Sequence, residues 1–256
     1  MNIILNTQHV TQRFGGVQAL TDVSIEVPEG HIFSIIGPNG AGKTTLFNAI
    51  SGLAKPTEGK IFFRGEDLTA MKPFEIHEKG ISRTFQNIRL FPEMTVLENV
   101  MIGNVKPEDC GIARAVLRTK EYRRQEEETR ALAEQWLKFF DLYRLRYQNP
   151  GALPYGMQRK LEIARAMIST PRLLLLDEPA AGMNEAETAE LRNDIRKLKE
   201  GGVTILLIEH DMRFVMTLSD TISVLHHGKL LMTGTPEEVS SDQSVIDAYL
   251  GTEVEA

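Results

Sequence analysis

Gly37-Pro38-Asn39-Gly40-Ala41-Gly42-Lys43-Thr44, followed by Thr45, decides the fold. It fits the pattern G-x-x-x-x-G-K-[ST]. The chemistry of binding a polyphosphate asks for these residue types at this spacing. Glycines let the backbone curl around phosphate oxygens without Cβ clashes and aim N–H groups inward. A helix starting near Lys43 adds the positive end of its dipole. Lys43 supplies a point charge to the β- and γ-phosphates of a nucleotide such as ATP, and the Thr44 hydroxyl can ligate Mg²⁺. The flanks supply the context the pattern needs. His31 to Ile36 reads as a buried strand and Thr44 to Ile50 as a helix that stops before Gly52.

Moving outward, Leu173-Leu174-Leu175-Leu176-Asp177-Glu178 is an apolar strand ending in two acids. In an open α/β sheet such an end falls at the edge where ligands bind. Asp177 would hold Mg²⁺, directly or through water. Glu178 would orient or deprotonate an attacking water. His210 follows another apolar run, Val203 to Ile208, again at a strand's C-terminal end, within reach of a γ-phosphate. Alone it reads as a surface turn residue; the other motifs reverse that. Gln86, alone, reads as a solvated loop residue, and Phe14, alone, as a core residue.

The remainder fits an α/β protein carrying an inserted helical region. Val23, Ile25 and Val27 alternate with Ser24 and Glu26, Ile61-Phe62-Phe63 is a short strand, Ile222 to Met232 a hairpin turning at His227-Gly228, and Asp242 to Leu250 a last helix. From about 92 to 168 the texture is helical. Lys120 to Phe140 places Leu132, Trp136 and Phe139 or Phe140 at helical spacing. The basic cluster Arg118, Lys120, Arg123 and Arg124 runs into Glu126-Glu127-Glu128 and reads as a solvated face with pairs such as Arg124 and Glu128, not as a nucleic-acid patch. A net charge of −6 argues the same way. The single cysteine, Cys110, allows no internal disulfide. No secretory signal is read at the N-terminus, and no apolar stretch approaches the roughly 18 residues that span a bilayer.

Taken together, these residues resemble the nucleotide-binding subunits of ABC transporters over nearly the whole chain. The resemblance implies a P-loop NTPase core with a mainly parallel sheet, an N-terminal antiparallel β subdomain and an inserted helical subdomain, all in one ATPase domain: residues 1–91 and 169–256 as the α/β core, about 92–168 as the helical part. It implies that 37–45 is the Walker A loop (Gly37, Pro38, Asn39, Gly40, Ala41, Gly42, Lys43, Thr44, Thr45), that Leu173 to Asp177 is Walker B and that Glu178 is the catalytic glutamate. Gln86 falls at the glutamine that senses Mg²⁺ and the channel, His210 at the switch histidine, and Phe14 at the aromatic that stacks on adenine. Lys43, Glu178 and His210 are thus the expected catalytic groups, and Thr44, Gln86 and Asp177 the expected surroundings of the metal.

The family works as a head-to-tail dimer in which each ATP also meets the partner's signature motif, usually Leu-Ser-x-Gly-Gln. The matching stretch here is Leu153-Pro154-Tyr155-Gly156-Met157-Gln158. Pro154 in place of serine removes a hydroxyl and a backbone N–H, and Met157 replaces a glutamine. Gly156 remains, as does the helix, in which Met157, Leu161, Ala164 and Ile168 are expected to share one face. Pro154, Tyr155, Gly156 and Met157 would serve the partner's ATP, which favours a heterodimer over a homodimer. Arg83 to Asn99, Glu178 to Asn184, Leu207 to Asp211 and Ala248 to Gly251 resemble the LivG-type ATPases of branched-chain amino-acid uptake systems. That implies a LivF-type second ATPase, two permease subunits, a periplasmic binding protein, no nucleic acid, and a place at the cytoplasmic face of the inner membrane. Related systems carry urea or amides, so these residues leave the cargo open. A non-transport ABC ATPase is the rival reading, disfavoured by the single ATPase domain and the acidic charge.

Overall fold

The structure, a computed structural model, describes residues 2–104 and 120–250, so the readings at Cys110, Arg118 and Gly251 lie outside it. The chain divides into two compact units. The first is drawn from Met1–Arg83, Arg172–Ala181 and Arg192–Ala256, the second from Thr84–Pro171 and Gly182–Leu191. The strands are β1 (Ile3–Phe14), β2 (Val17–Pro28), β3 (Ile32–Ile36), β4 (Glu58–Phe63), β5 (Glu66–Asp67), β6 (Ile81–Arg83), β7 (Leu173–Asp177), β8 (Thr204–Ile208), β9 (Thr221–His226) and β10 (Lys229–Gly234). The described helices are α1 (Lys43–Ile50), α2 (Pro73–Glu78), α3 (Val96–Met101), α4 (Lys120–Phe139), α5 (Tyr155–Met167), α6 (Glu185–Glu200), α7 (Met212–Leu218), α8 (Pro236–Ser241) and α9 (Gln243–Leu250).

The first unit holds two sheets. One is antiparallel, in the order β2-β1-β4-β5. The other runs β10-β9-β3-β8-β7-β6, parallel from β9 to β6, with β10 antiparallel at its edge. Every residue of β3, β7 and β8 is buried. That is why these strands read as unbroken apolar runs: both faces of a parallel sheet are covered. On one face, Phe33, Ile35, Leu173, Leu175, Leu206 and Ile208 share a core with α1 and the antiparallel sheet. Leu46, Phe47 and Ile50 of α1 are fully buried there, each contributing about 1.5–3 kcal/mol by removal from water. On the other face, Ile36, Ile222 and Val224 pack against Val215, Val239 and Val245 of α7, α8 and α9. The alternation of Val23, Ile25 and Val27 is seen as buried positions between exposed ones. The hairpin turns at His227-Gly228, as expected.

In the second unit α3, α4 and α5 pack on one another. Thr95 caps α3, its hydroxyl accepting from the Glu98 amide. Two expectations shift. The buried stripe of α4 is Ala133 and Leu137, continued by Phe140, whereas Leu132, Trp136 and Phe139 are only half-buried flanks. Trp136 and Phe139 meet edge to face at that border. In α5, Leu161 and Ala164 are buried, as is Ile168 at its C-cap, but Met157 in the first turn is 38% exposed. Arg124 Nε lies 3.5 Å from Glu128 Oε1 with both side chains largely exposed, as a solvated helix face requires. Among the described residues, no helix is long and apolar enough to cross a membrane.

A candidate nucleotide site at the ends of the parallel strands

Adjacent strands β3, β8 and β7 deliver the expected groups of the first unit to one sheet edge. β3 ends at Ile36, the loop 37–42 follows, and α1 opens on Lys43. The loop lies too close to its neighbours for side chains at its two ends. A Cβ on Gly37, where φ is +149°, would stand 2.1 Å from the Leu225 carbonyl oxygen; on Gly42, where φ is +99°, it would stand 2.6 Å from that of Ala19. Lys43 is 8% exposed, and its Nζ donates to the carbonyls of Gly37 at 2.6 Å and Pro38 at 2.9 Å. The loop therefore wraps an ammonium. Burial pulls the Lys43 pKa down, while the charges of Glu178 and Asp177 push it up, which places both acids in the field of the ammonium.

β7 ends at Asp177, 3% exposed. The chain leaves the sheet at Glu178, which sits at φ +46° while its amide still donates to the Ile208 carbonyl at 2.9 Å. A non-glycine residue in that region is strained, and such strain concentrates at functional sites. His210, after β8, places Nδ1 3.7 Å from Glu178 Oε2. Phe14 pairs with Val17 across the β1–β2 hairpin and is 53% exposed, so its reading as a core residue is corrected. Just beyond that hairpin, Ala19 and Leu20 back onto Gly42. Thr44 is exposed and Thr45 half-buried at the start of α1.

Gln86 and the signature stretch belong to the second unit. Gln86 is exposed. α5 starts after Pro154, whose side chain caps nothing, and Tyr155 is 42% exposed. Gly156 faces Glu187, whose Oε1 would stand 2.8 Å from an added Cβ. Phe85, Ile88, Leu90 and Met94 are half-buried and Phe91 is exposed.

Four charged residues here escaped the sequence reading. Arg83 Nη2 donates to Asp177 Oδ2 at 2.8 Å. The buried Glu209 accepts from the Ala180 amide at 2.8 Å and the His210 amide at 3.1 Å. Arg159, with no exposed surface, donates to the carbonyls of Phe85 at 2.8 Å and Gln86 at 2.7 Å and to Glu162 Oε2 at 3.0 Å. Burial pushes the Glu162 pKa up, against the pull of Arg159. Arg159 and Glu162 stand three apart on the side of α5 opposite Leu161, Ala164 and Ile168, where the local sequence suggests solvent. Arg83 and Glu209 lie within the segments 83–99 and 207–211, with nothing local to mark either as buried.

A hydroxyl at Thr44 and a carboxylate at Asp177 are hard oxygen donors of the kind Mg²⁺ takes when phosphate oxygens complete its shell. Among the described residues no three His, Cys, Asp or Glu side chains gather into a metal site of their own. The donor set fits the metal.

Comparison with known proteins agrees with this geometry. Residues 20–181 match the family described as "ABC transporter", and residues 229–255 match "Branched-chain amino acid ATP-binding cassette transporter". The chain is 45% identical to the high-affinity branched-chain amino acid transport ATP-binding protein BraF of Pseudomonas aeruginosa, over 97% of this chain and 98% of that one. It is 44% identical to LivG of Escherichia coli over the same shares. Among solved structures, a nucleotide-free ATP-binding cassette from an ABC transporter superposes with a TM-score of 0.86 at 35% identity, covering 97% of this chain and 99% of that chain. A dimeric cassette in a post-hydrolysis state with ADP and phosphate superposes at 0.75 and 27% identity, covering 91% and 99%. The glycine-rich loop after β3, the acids at the end of β7 and these likenesses over almost the full length lead to one assignment: the chain belongs to the ABC transporter family, as one of its ATP-binding and ATP-hydrolysing subunits.

Proposed function

We propose that this chain powers an importer of branched-chain amino acids from the cytoplasmic face of the membrane, as one of two unlike cassettes beneath two permease subunits supplied by a periplasmic binding protein. The observation that carries the site is Lys43, buried with its Nζ on the Gly37 and Pro38 carbonyls after β3, in the same parallel sheet whose β7 ends in Asp177 and is followed by Glu178. The cargo rests on the C-terminal match and on what the relatives named above transport.

The amides of 37–42 and the Lys43 ammonium bind the terminal phosphates, exchanging the loop's own carbonyls for phosphate oxygens. Mg²⁺, held by Thr44 and Asp177, supplies neutralising charge at those phosphates when bound. Glu178 takes a proton from the attacking water as its oxygen bonds to the γ-phosphorus and the bond to the β-phosphate oxygen breaks. His210, whose Nδ1 lies 3.7 Å from Glu178 Oε2, contacts the γ-phosphate beside that carboxylate. The roles expected for Phe14, Gln86 and Pro154 to Met157 belong to the same proposal, as does service of the second unit as the helical subdomain. Loss of two donors in the signature, each about 1–3 kcal/mol if a phosphate is left unpaired, weakens the site this chain would complete for a partner. Its own site keeps its equipment, which favours a heterodimer.

The test is reconstitution. The full complex in vesicles should take up leucine with ATP, and Lys43→Ala should abolish both nucleotide binding and uptake. Hydrolysis by the purified chain alone, at the rate of the assembled complex, would remove the heterodimer; uptake of urea or an amide in place of leucine would reassign the cargo.

A further inference from the structure

Arg83 ends β6 and is buried, its side chain 8% exposed against 4% for the Asp177 side chain it meets. Both terminal nitrogens of its guanidinium are held. Nη2 donates to Asp177 Oδ2 at 2.8 Å, and Nη1 donates to Asn48 Oδ1 and to Ser51 Oγ, each at 2.8 Å. The guanidinium carbon lies 5.5 Å from the centre of the Phe47 ring, within cation–π range. Ser51 Oγ in turn donates to the Phe47 carbonyl at 2.8 Å. Phe47 and Asn48 are in α1 and Ser51 caps its end. Asn48 lies one turn beyond Thr44, on the same side of that helix. One planar fork therefore ties the helix that opens with Lys43 and Thr44 to the strand that ends in Asp177.

As a device for stability this pair is poor, because taking two charges out of water offsets most of their attraction. It also withdraws charge from a carboxylate meant for a cation. What it supplies is placement. With Oδ2 committed to Arg83, Oδ1 is the oxygen left for a cation, and the carboxylate cannot turn. A rigid fork does this where a flexible ammonium would not. Mg²⁺ demands near-octahedral ligands at short distances, so the angle and spacing of its protein oxygens govern its affinity.

We infer that Arg83 is a positioning residue for the metal of the nucleotide site: it orients Asp177, sets its spacing from Thr44, and thereby sets the affinity for the divalent cation. This rests on the reading of Asp177 and Thr44 as metal ligands. Arg83→Lys in the full chain keeps the charge but loses the fork. With Mn²⁺ as the spectroscopic probe and ADP present, Arg83→Lys should bind the metal about 10-fold or more weakly. Binding of fluorescent ADP in EDTA should stay unchanged, a split that a general loss of structure would not produce. Arg83→Gln, which also removes the charge, should lose at least as much; should it fail to fold by circular dichroism, Arg83→Lys carries the test. Asp177→Asn separates the two levels. If it loses Mn²⁺ while Arg83→Lys binds as tightly as the parent, this inference alone is overturned. If Asp177→Asn itself binds Mn²⁺ normally, the ligand reading fails and the inference with it.

Discussion

Glu209 Oε1 accepts a hydrogen bond from the Ala180 amide at 2.8 Å, so the segments following β7 and β8 are joined by a buried carboxylate. Its other oxygen takes the His210 amide. Glu178 and His210 thus stand on segments braced by one side chain that touches no expected substrate atom.

That brace has a pH signature. Burial pushes the Glu209 pKa above its ordinary value of 4.5, against the pull of the Ala180 and His210 amides and the His210 charge. The folded protein therefore holds this proton more tightly than the unfolded chain. The associated stability is fully present below pH 4.5 and is lost as pH rises through the raised folded value. Glu209→Gln removes the titration. In urea unfolding, the parent's advantage over Glu209→Gln should shrink as pH rises from 4.5 through the raised folded value. A difference that does not change with pH would count against it.

Glu178→Gln keeps the shape of the side chain and removes the base. Turnover should fall by about 10²–10⁴-fold, with nucleotide affinity retained and the ATP-bound dimer accumulating on a sizing column. Steady-state hydrolysis beside a nucleotide titration decides it, and near-normal turnover excludes Glu178 as the base.

Gly37→Ala drives a Cβ to 2.1 Å from the backbone oxygen of Leu225, whereas a Cβ on Gly40 meets open space. Both carry positive φ, +149° at Gly37 and +78° at Gly40, so Gly37 adds a backbone clash to a φ further from the left-handed helical region. Gly37→Ala should cost about 1–3 kcal/mol more in stability than Gly40→Ala and weaken nucleotide binding. Equal melting temperatures for the two variants contradict the packing described for the loop.

Arg159→Met removes the nearest charge from the buried Glu162, which keeps Arg165 at 3.6 Å and the Arg89 amide, and withdraws two donors from the carbonyls of Phe85 and Gln86. It should destabilise by about 3–5 kcal/mol, with Arg159→Met/Glu162→Met recovering much of the loss. A double-mutant cycle by urea denaturation measures the coupling. Simple additivity would show that the pair is not a unit.

The Walker A pattern, the Leu173 to Glu178 run and the turn at His227-Gly228 could be read from the chain because each is made within a few residues: a glycine's reach, a strand's alternation or its absence, the turn that follows. The strands of the parallel sheet follow from them, since apolar runs must be covered on both faces. What only tertiary structure decided is which distant charges meet inside. Arg83 and Asp177 are 94 positions apart, Ala180 and Glu209 29, Phe85 and Arg159 74. Nothing in the local sequence around Arg83 distinguishes a buried fork from a surface cation; strand order brings it to Asp177. A buried charge costs too much to stand alone, so its partner is set by the whole fold, and that partner is legible only after the crossovers are made.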